Sequence, residues 1–415
     1  MTWYDNTYGY KKQVTIDKDK VLEDCTDFPV LISIEDADLL AHAESTNGYD
    51  IIFVNSLENA MLDHELETFN SSSGTLVAWV CIPSLSSTDD TIIYMYYGKS
   101  GCINQSTTDT WDANYIAVYH LIGSDTIATC NDSTANINTG SWNGQMPTLT
   151  AEQKFGNSSQ YFDGDGDYIT LPAACHIGGT GHTIESWFKI SALAPNCTPR
   201  EGNQIFNSGD VDSSEQIFMS EYDPLCSNFH DYIGVRAGAA QWDIAGTAPD
   251  TNWHRWVGAI NTNDAVSIFD SATIGTDNSC SVPLAGGAAQ WAFIGHKAGS
   301  STRDMLGAIE ELRISNIRRT NNWIVTGYNS ESSPSTFMGF GAEIPYSTGG
   351  ACTDSGLRLW DGNNILTLCR DDTSPLKMFD GTNIVGIGLV ASASNEASHL
   401  RIFDGTNIKS IRKYV

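Results

Sequence analysis

The amino-acid sequence predicts an all-β protein built from three modules, and three observations carry that expectation. Short segments rich in β-branched and aromatic residues recur along the chain, among them 12–16 (KQVTI), 28–34 (FPVLISI), 91–97 (TIIYMYY), 183–190 (TIESWFKI) and 253–260 (WHRWVGAI). Asn, Asp, Gly or Ser bounds each, as strands ending in tight turns require. Long amphipathic helical patterns are absent, so a parallel sheet would lack its crossover helices, and antiparallel sandwiches or jelly rolls remain. The C-terminal end repeats itself as 357–365 (LRLWDGNNI), 376–384 (LKMFDGTNI) and 400–408 (LRIFDGTNI). Asp-Gly and Asn tolerate positive φ and apolar alternation flanks them, so each repeat reads as a β-hairpin.

Loop-rich stretches at 103–112 (INQSTTDTWD) and 345–356 (PYSTGGACTDSG) mark the boundaries. We expect a β-sandwich over 1–110, a jelly roll over 111–348 and a hairpin-repeat module over 349–415. A short helix is expected at 36–44 (DADLLAHAE), capped by Asp36. The run 75–83 (TLVAWVCIP) is strand-sized and far short of the ~20 apolar residues of a membrane span. A lone two-stranded hairpin is marginal, so the repeats must stack on one another, on the jelly roll or on copies from other chains. A small closing module and an oligomerisation element are both open on these grounds.

The 415 residues carry 22 Lys+Arg against 50 Asp+Glu, a formal charge of −28. Phosphate backbones and anionic lipid would repel such a chain, so nucleic acid and membrane are not expected partners. The surplus is uneven: 1–110 holds 5 basic and 18 acidic residues, 111–349 holds 10 and 25, and 350–415 holds 7 of each. The N-terminus lacks a basic stretch followed by an apolar one, so ordinary secretion is not expected. Ten cysteines suit an oxidising environment. A protein made in a cytosol and working outside the cell, as in a virus particle, reconciles the two. Cys175–Cys197 and Cys352–Cys369 are the pairings that proximity in sequence suggests.

Residues 3–100 resemble a domain-of-unknown-function family that precedes laminin-G-like jelly rolls in prokaryotic surface proteins and phage particles. The resemblance rests on Tyr10-Lys11-Lys12, Asp27-Phe28-Pro29-Val30-Leu31, Tyr49-Asp50-Ile51-Ile52-Phe53, His64-Glu65-Leu66-Glu67, Ala78-Trp79-Val80 and Ile93-Tyr94-Met95-Tyr96-Tyr97-Gly98. Residues 114–343 are similar to the laminin-G or concanavalin A-like jelly roll. The matching segments include Ala117-Val118-Tyr119-His120-Leu121, Tyr161-Phe162-Asp163-Gly164, Ile184-Glu185-Ser186-Trp187-Phe188 and Ile309-Glu310-Glu311-Leu312-Arg313. At 267–271 (SIFDS) the chain departs from the exposed Asp-Gly hairpin of relatives, which implies a reshaped turn. The C-terminal repeats look like hairpin units of phage fibres. Jelly rolls of this kind often hold structural Ca²⁺, and Asp132, Glu310 and Glu311 match regions where relatives place ligands.

Asp163, Asp165 and Asp167 alternate in FDGDGDYI, but the Gly and the acidic residue an EF-hand needs at its sixth and twelfth positions are Tyr168 and Ala174. A hairpin turn with solvated aspartates is the simpler reading, and a Ca²⁺ site the sharper one. Strand alternation should send Glu310 and Glu311 to opposite faces, leaving one solvated and paired with Arg313. His64 and His120 read as structural. Trp79, Trp187, Trp253, Trp256 and Trp323 read as core, whereas Trp142, Trp242 and Trp291 lie in irregular surroundings suited to a glycan-stacking platform. No E-x-D-x-x-E string of the jelly-roll glucanases occurs, nor G-x-S-x-G, H-E-x-x-H, a P-loop or C-x-x-C.

These observations predict a non-enzymatic structural and adhesive protein at the surface of a phage or virus particle. Its expected partners are other virion proteins, copies of itself in a homo-oligomer, and host surface glycans. A prokaryotic cell-surface adhesin is the alternative, and a polysaccharide-degrading enzyme a third.

Overall fold

The computed structural model describes residues 3–122, 129–143, 148–150, 153–156, 159–176, 181–191, 202–209, 216–222, 234–235, 250–261, 264–277, 291–296 and 304–346, together with six strands of the C-terminal module. Residues 1–344 form one compact unit and 345–415 a second.

The first sandwich contains β1 (Tyr10–Ile16), β2 (Phe28–Glu35), α1 (Ala37–His42), β3 (Ile52–Asn55), β4 (His64–Asn70), β5 (Thr75–Ile82) and β6 (Thr91–Tyr97). Asp36 caps α1 as expected, its carboxylate accepting from the amides of Asp38 and Leu39. The jelly roll follows with β7 (Tyr115–Tyr119), β8 (Thr129–Cys130), β9 (Gly140–Asn143), β10 (Thr148–Thr150), β11 (Ser159–Asp163), β12 (Tyr168–Thr170), β13 (Gly181–Ile190), β14 (Gly202–Gly209), β15 (Gln216–Tyr222) and β16 (Gly234–Val235). It continues with β17 (His254–Asn261), β18 (Ala265–Phe269), β19 (Ala272–Asp277), β20 (Trp291–Ile294) and β21 (Leu306–Ser315). Then come α2 (Asn321–Ser332), α3 (Pro334–Phe337), β22 (Met338–Phe340) and β23 (Ile344–Pro345).

In the first sandwich a sheet ordered β22-β1-β6-β3, with β23 also on β1, faces a sheet ordered β2-β5-β4. Residues 321–345, grouped by sequence with the jelly roll, therefore return to the first module: Val14 pairs with Phe340, and Phe337 and Met338 enter its core. The jelly roll is an insertion between β6 and β22. Its own sheets run β10-β11-β21-β13-β17-β18-β19, with β7 on β21, and β16-β15-β14-β20-β12-β9-β8.

The 75–83 run is apolar throughout because β5 is buried on both faces. Leu76, Ala78, Val80 and Ile82 fill the first sandwich, while Val77 and Trp79 join Leu31, Trp111, Tyr115, Val118, Phe155 and Trp187 in a second apolar layer. That layer lies between the β2-β5-β4 sheet and the β7-β21-β13 region of the jelly roll. The tryptophans read as core are thus divided: Trp256 fills the jelly roll, whereas Trp79 and Trp187 cement one module to the other.

Helix α2 was not legible as a helix because the face it buries is Ile324, Thr326, Gly327, Ser330 and Glu331, which is mostly polar. The departure at 267–271 closes as a tight β18–β19 turn with Asp270 at φ 54°. The Asp270 carboxylate accepts from the Arg255 amide at 3.0 Å and pairs with His254 Nδ1 at 3.0 Å, so local hydrogen bonds offset the strain of a non-glycine there.

Cys175 is a free thiol inside the jelly-roll core, 3.3 Å from the Tyr119 hydroxyl, so the expected Cys175–Cys197 bridge is not formed. Cys197 and Cys352 lie outside the described residues, as does the side chain of Cys369. Each C-terminal repeat folds as the predicted hairpin: β24 (Arg358–Trp360) with β25 (Ile365–Cys369), β26 (Lys377–Phe379) with β27 (Ile384–Gly386), and β28 (Leu400–Phe403) with β29 (Ile408–Ile411). The first two hairpins join into one four-stranded sheet.

A Cβ at Gly327 would lie 3.0 Å from Arg255 Nη2, and that guanidinium is tethered to the Ile324 carbonyl and to Glu185. Gly→Ala within a helix normally stabilises by about 1 kcal/mol. Here the neighbour cannot yield, and G327A is expected to destabilise by about 1–3 kcal/mol in chemical denaturation.

Candidate functional site

The layer between the sandwiches holds a cluster of charged side chains closed off from water. Strand β4 contributes Glu65 and Glu67. Leu66 pairs with Ala78 and Thr68 with Val77, which leaves Glu67 as the extra residue of a bulge. The end of β7 supplies His120. Strand β21 supplies Glu310, Glu311 and Arg313, α2 supplies Glu331, and β13 and β17 supply Glu185 and Arg255.

Glu310 and Glu311 break the alternation expected of them. Between the pairs Glu185–Arg313 and Trp187–Glu310, β21 carries one residue more than β13. Glu311 takes φ 54° to absorb it. Ile309 and Leu312 consequently both face the core, while Glu310 and Glu311 both turn to the interface, 1% and 2% exposed. Neither is solvated, although the predicted Glu311–Arg313 pair forms at 2.8 Å. Leu121, beside His120, also has positive φ (58°). Strained backbone on both sides of a side-chain pair is the usual accompaniment of a functional or switching position.

His120 lies among three carboxylates. Its Nδ1 is 2.6 Å from Glu311 Oε1 and 3.7 Å from Glu67 Oε2, and its Nε2 is 3.3 Å from Glu65 Oε2. Burial opposes a charge on this ring, but Glu311 and Glu65 outweigh it and hold the imidazolium well above its ordinary range. Burial, reinforced by Glu311, pushes the Glu67 carboxyl up to about 7. Burial likewise raises Glu310, which accepts from the amides of Lys154 and Phe155 at 2.7 and 3.0 Å. Burial would raise Glu331 too, yet Arg255 and Arg313 keep it below the usual carboxylate range. Indole N–H groups complete the set, with Trp79 donating to Glu67 at 3.0 Å, Trp111 to Glu65 at 2.8 Å and Trp187 to Glu331 at 2.5 Å.

Glu67, His120 and Glu311 form the one group of three metal-capable residues among those described whose ligand atoms all lie within 4.8 Å of one another. Glu311 was among the predicted ligands; His120 was set aside as structural, and Glu67 entered only through the family pattern. Glu310 shares the layer but lies outside that triad, and the four predicted aspartates make local contacts of their own. Asp132 organises its own loop, accepting from the amides of Val118, Thr134 and Asn138 and from the Thr134 hydroxyl. Asp163 and Asp165 are exposed on the β11–β12 turn, held by a local hydrogen bond of 2.8 Å. Asp167 is buried there, which raises its carboxyl to about 6.

The predicted stacking residues separate as well. Trp142 leans on the jelly-roll core against Phe162, and Trp242 lies outside the described residues. Trp291 is 9% exposed rather than open, on the outer face of β20, stacked on Phe293 at 5.4 Å. Phe293 meets Tyr168 edge-on at 5.3 Å, and Tyr168 stacks on His296 at 4.5 Å. Opposite Phe293 in the register lies Asn207, fully buried, whose Oδ1 and Nδ2 have no partner among the described residues. Phe293, Tyr168 and His296 are half-buried, so this face presents ring surface.

A sandwich stacked on an inserted jelly roll defines a lectin-like, all-β assembly. Residues 162–325 match the Concanavalin A-like lectin/glucanases superfamily, and residues 47–143 match a domain of unknown function (DUF2341). The chain thus carries the unknown-function domain followed by the concanavalin A-like domain, in the order expected. The match over residues 47–143 includes both Glu67 and His120. Among solved structures the chain is similar to domain 4 of AbnA, a GH43 extracellular arabinanase from Geobacillus stearothermophilus in complex with arabinotriose, at TM-score 0.41 and 16% identity over 53% of this chain and 100% of that one. It is also similar to a Trypanosoma rangeli sialidase in complex with 2,3-difluorosialic acid (TM-score 0.40, 11% identity, 58% of this chain and 41% of that one). A third is the binding domain of Paraclostridial Mosquitocidal Protein 1 (TM-score 0.39, 11% identity, 52% of each). The chain spans about half or less of the last two. No curated protein matches the sequence.

The proton on Glu67 gives a pH signature. The folded state holds it more tightly than the unfolded chain, whose carboxyl titrates near 4.5, so this contribution to stability is complete below about 4.5 and fades as pH rises through about 7. E67Q keeps the shape without titrating. In EDTA-containing buffer it is expected to flatten the decline of Tm across that window, followed by circular dichroism.

Proposed function

We propose that the chain is a structural and adhesive protein of a phage or virus particle surface, whose jelly roll binds a glycan on the outer face of its second sheet. The observation that carries this is the ring array of Trp291, Phe293, Tyr168 and His296 on that face. Sugars are held by aromatic rings stacked against their apolar C–H faces. Membership of a lectin and glucanase superfamily agrees with that chemistry.

A binding role fits better than hydrolysis. The carboxylates with the strongest pH perturbation, Glu67 and Glu310, sit between the sandwiches, where no polysaccharide reaches them. Cys25, Cys81, Cys102, Cys130 and Cys175 are free thiols. That suits folding in a reducing cytosol before release with a particle, and favours the virion over a secreted cell-surface adhesin. The charge-balanced hairpin module, unable to bury three hairpins alone, is the part that joins copies or docks to other virion proteins.

On a glycan array, W291A and Y168A are each expected to weaken binding by about tenfold, in line with ~1–3 kcal/mol for an aromatic anchor, without changing the far-ultraviolet spectrum. Unaltered binding in both would remove this face from consideration. A chain ending at residue 348 is expected to sediment as a monomer where the full chain assembles.

A further inference from the structure

We propose that Glu67, His120 and Glu311 bind one divalent transition-metal ion of the Zn²⁺ or Mn²⁺ class, which pins the first sandwich to the jelly roll. The polar atoms this cluster leaves unsatisfied carry the inference. Glu67 Oε2 accepts from Trp79 Nε1 at 3.0 Å and Glu311 Oε2 accepts from Arg313 Nη2 at 2.8 Å, which fixes both carboxylates. Glu311 Oε1 meets His120 Nδ1 at 2.6 Å, whereas Glu67 Oε1 and His120 Nε2 have no hydrogen-bond partner among the described residues. Indole and guanidinium partners behind the ligands are what fixes ligand orientation at metal centres.

Glu67 Oε1 lacks that partner although its side chain is only 1% exposed. An unsatisfied carboxylate oxygen in such a place is costly unless something meets it. The donor set of one imidazole and two carboxylates suits Zn²⁺ or Mn²⁺ better than Ca²⁺, which takes six to eight oxygens. Binding exchanges protons for metal: the ion takes the place of the proton between His120 Nδ1 and Glu311, and any proton on Glu67 also leaves to solvent. A divalent ion carries the charge of the two protons it replaces, so the surrounding ion pairs need not rearrange.

The test uses the full chain expressed in medium supplemented with Zn²⁺, Mn²⁺ or Ca²⁺, gel-filtered in metal-free buffer and assayed by mass spectrometry for bound metal. About one Zn²⁺ or Mn²⁺ per chain is expected, as for a site closed by folding. E67Q and H120Q are each expected to lower occupancy by at least about tenfold. A D163N/D167N double variant should bind as the wild type does. Should E67Q or H120Q fail to fold, Co²⁺ decides with the wild-type chain: a visible spectrum distinct from the aquo ion, retained after gel filtration, supports the site. Negligible retention of every metal, or occupancy unchanged in folded E67Q and H120Q, would overturn it and leave a purely protonic cluster.

Discussion

The structure depends on a layer between two sandwiches that gathers six carboxylates with their cations and keeps five of those carboxylates out of water. Glu65, Glu67, Glu185, Glu310, Glu311 and Glu331 face His120, Arg255, Arg313 and the backbone amides of Lys154 and Phe155 across a layer lined by Trp79, Trp111 and Trp187. Desolvating an ion costs several kcal/mol even after relaxation, and removing one partner of a buried pair costs about 3–5 kcal/mol. Each element at the layer therefore has a second duty. The bulges aim the glutamates, the indoles donate to them, and α2 returns across the jelly roll to deliver Glu331 between Arg255 and Arg313. Arg313 also lies over the Trp79 ring at 4.2 Å, which gives its cation a partner besides the carboxylates. Two modules joined in this way cannot slide without exposing unpaired charge to an apolar layer.

Local chemistry made most of the fold legible. The Asp36 cap, the Asp-Gly repeats and the β-rich segments each act within a few residues, and each formed what it implied. The parity rule failed at Glu310 and Glu311 because a bulge is a property of the paired strand and not of the strand read alone. Helix α2 stayed hidden for a related reason: its buried face answers to Arg255 and Arg313, and so reads as a polar loop. The Glu67–His120–Glu311 triad alone joins residues up to 244 positions apart, and no spacing rule reaches so far. The one signal available was the alternating His64-Glu65-Leu66-Glu67 strand, since two acidic residues on one face of an otherwise apolar sheet imply either solvent or a charged partner.

The two sheets of the jelly roll are used differently. The sheet carrying β21 and β13 is committed to contacts within the chain, through tryptophans and ion pairs. The sheet carrying β20 and β12 keeps half-buried rings on its outer face. On the proposed reading, recognition and cohesion fall on opposite sides of one sandwich.

The return of β22 to β1 bears on how the chain acquires its structure. Val14 waits for Phe340, so the sheet edge at β1 stays unpaired during synthesis until more than three hundred further residues have left the ribosome. Contacts of such sequence separation form slowly, and an open edge strand in the meantime is a template for mispairing. The jelly roll, whose strands are complete before β22 is made, is thus free to fold first and to bring the closing strand into reach. The first sandwich can therefore be sealed only after the whole inserted jelly roll has been synthesised.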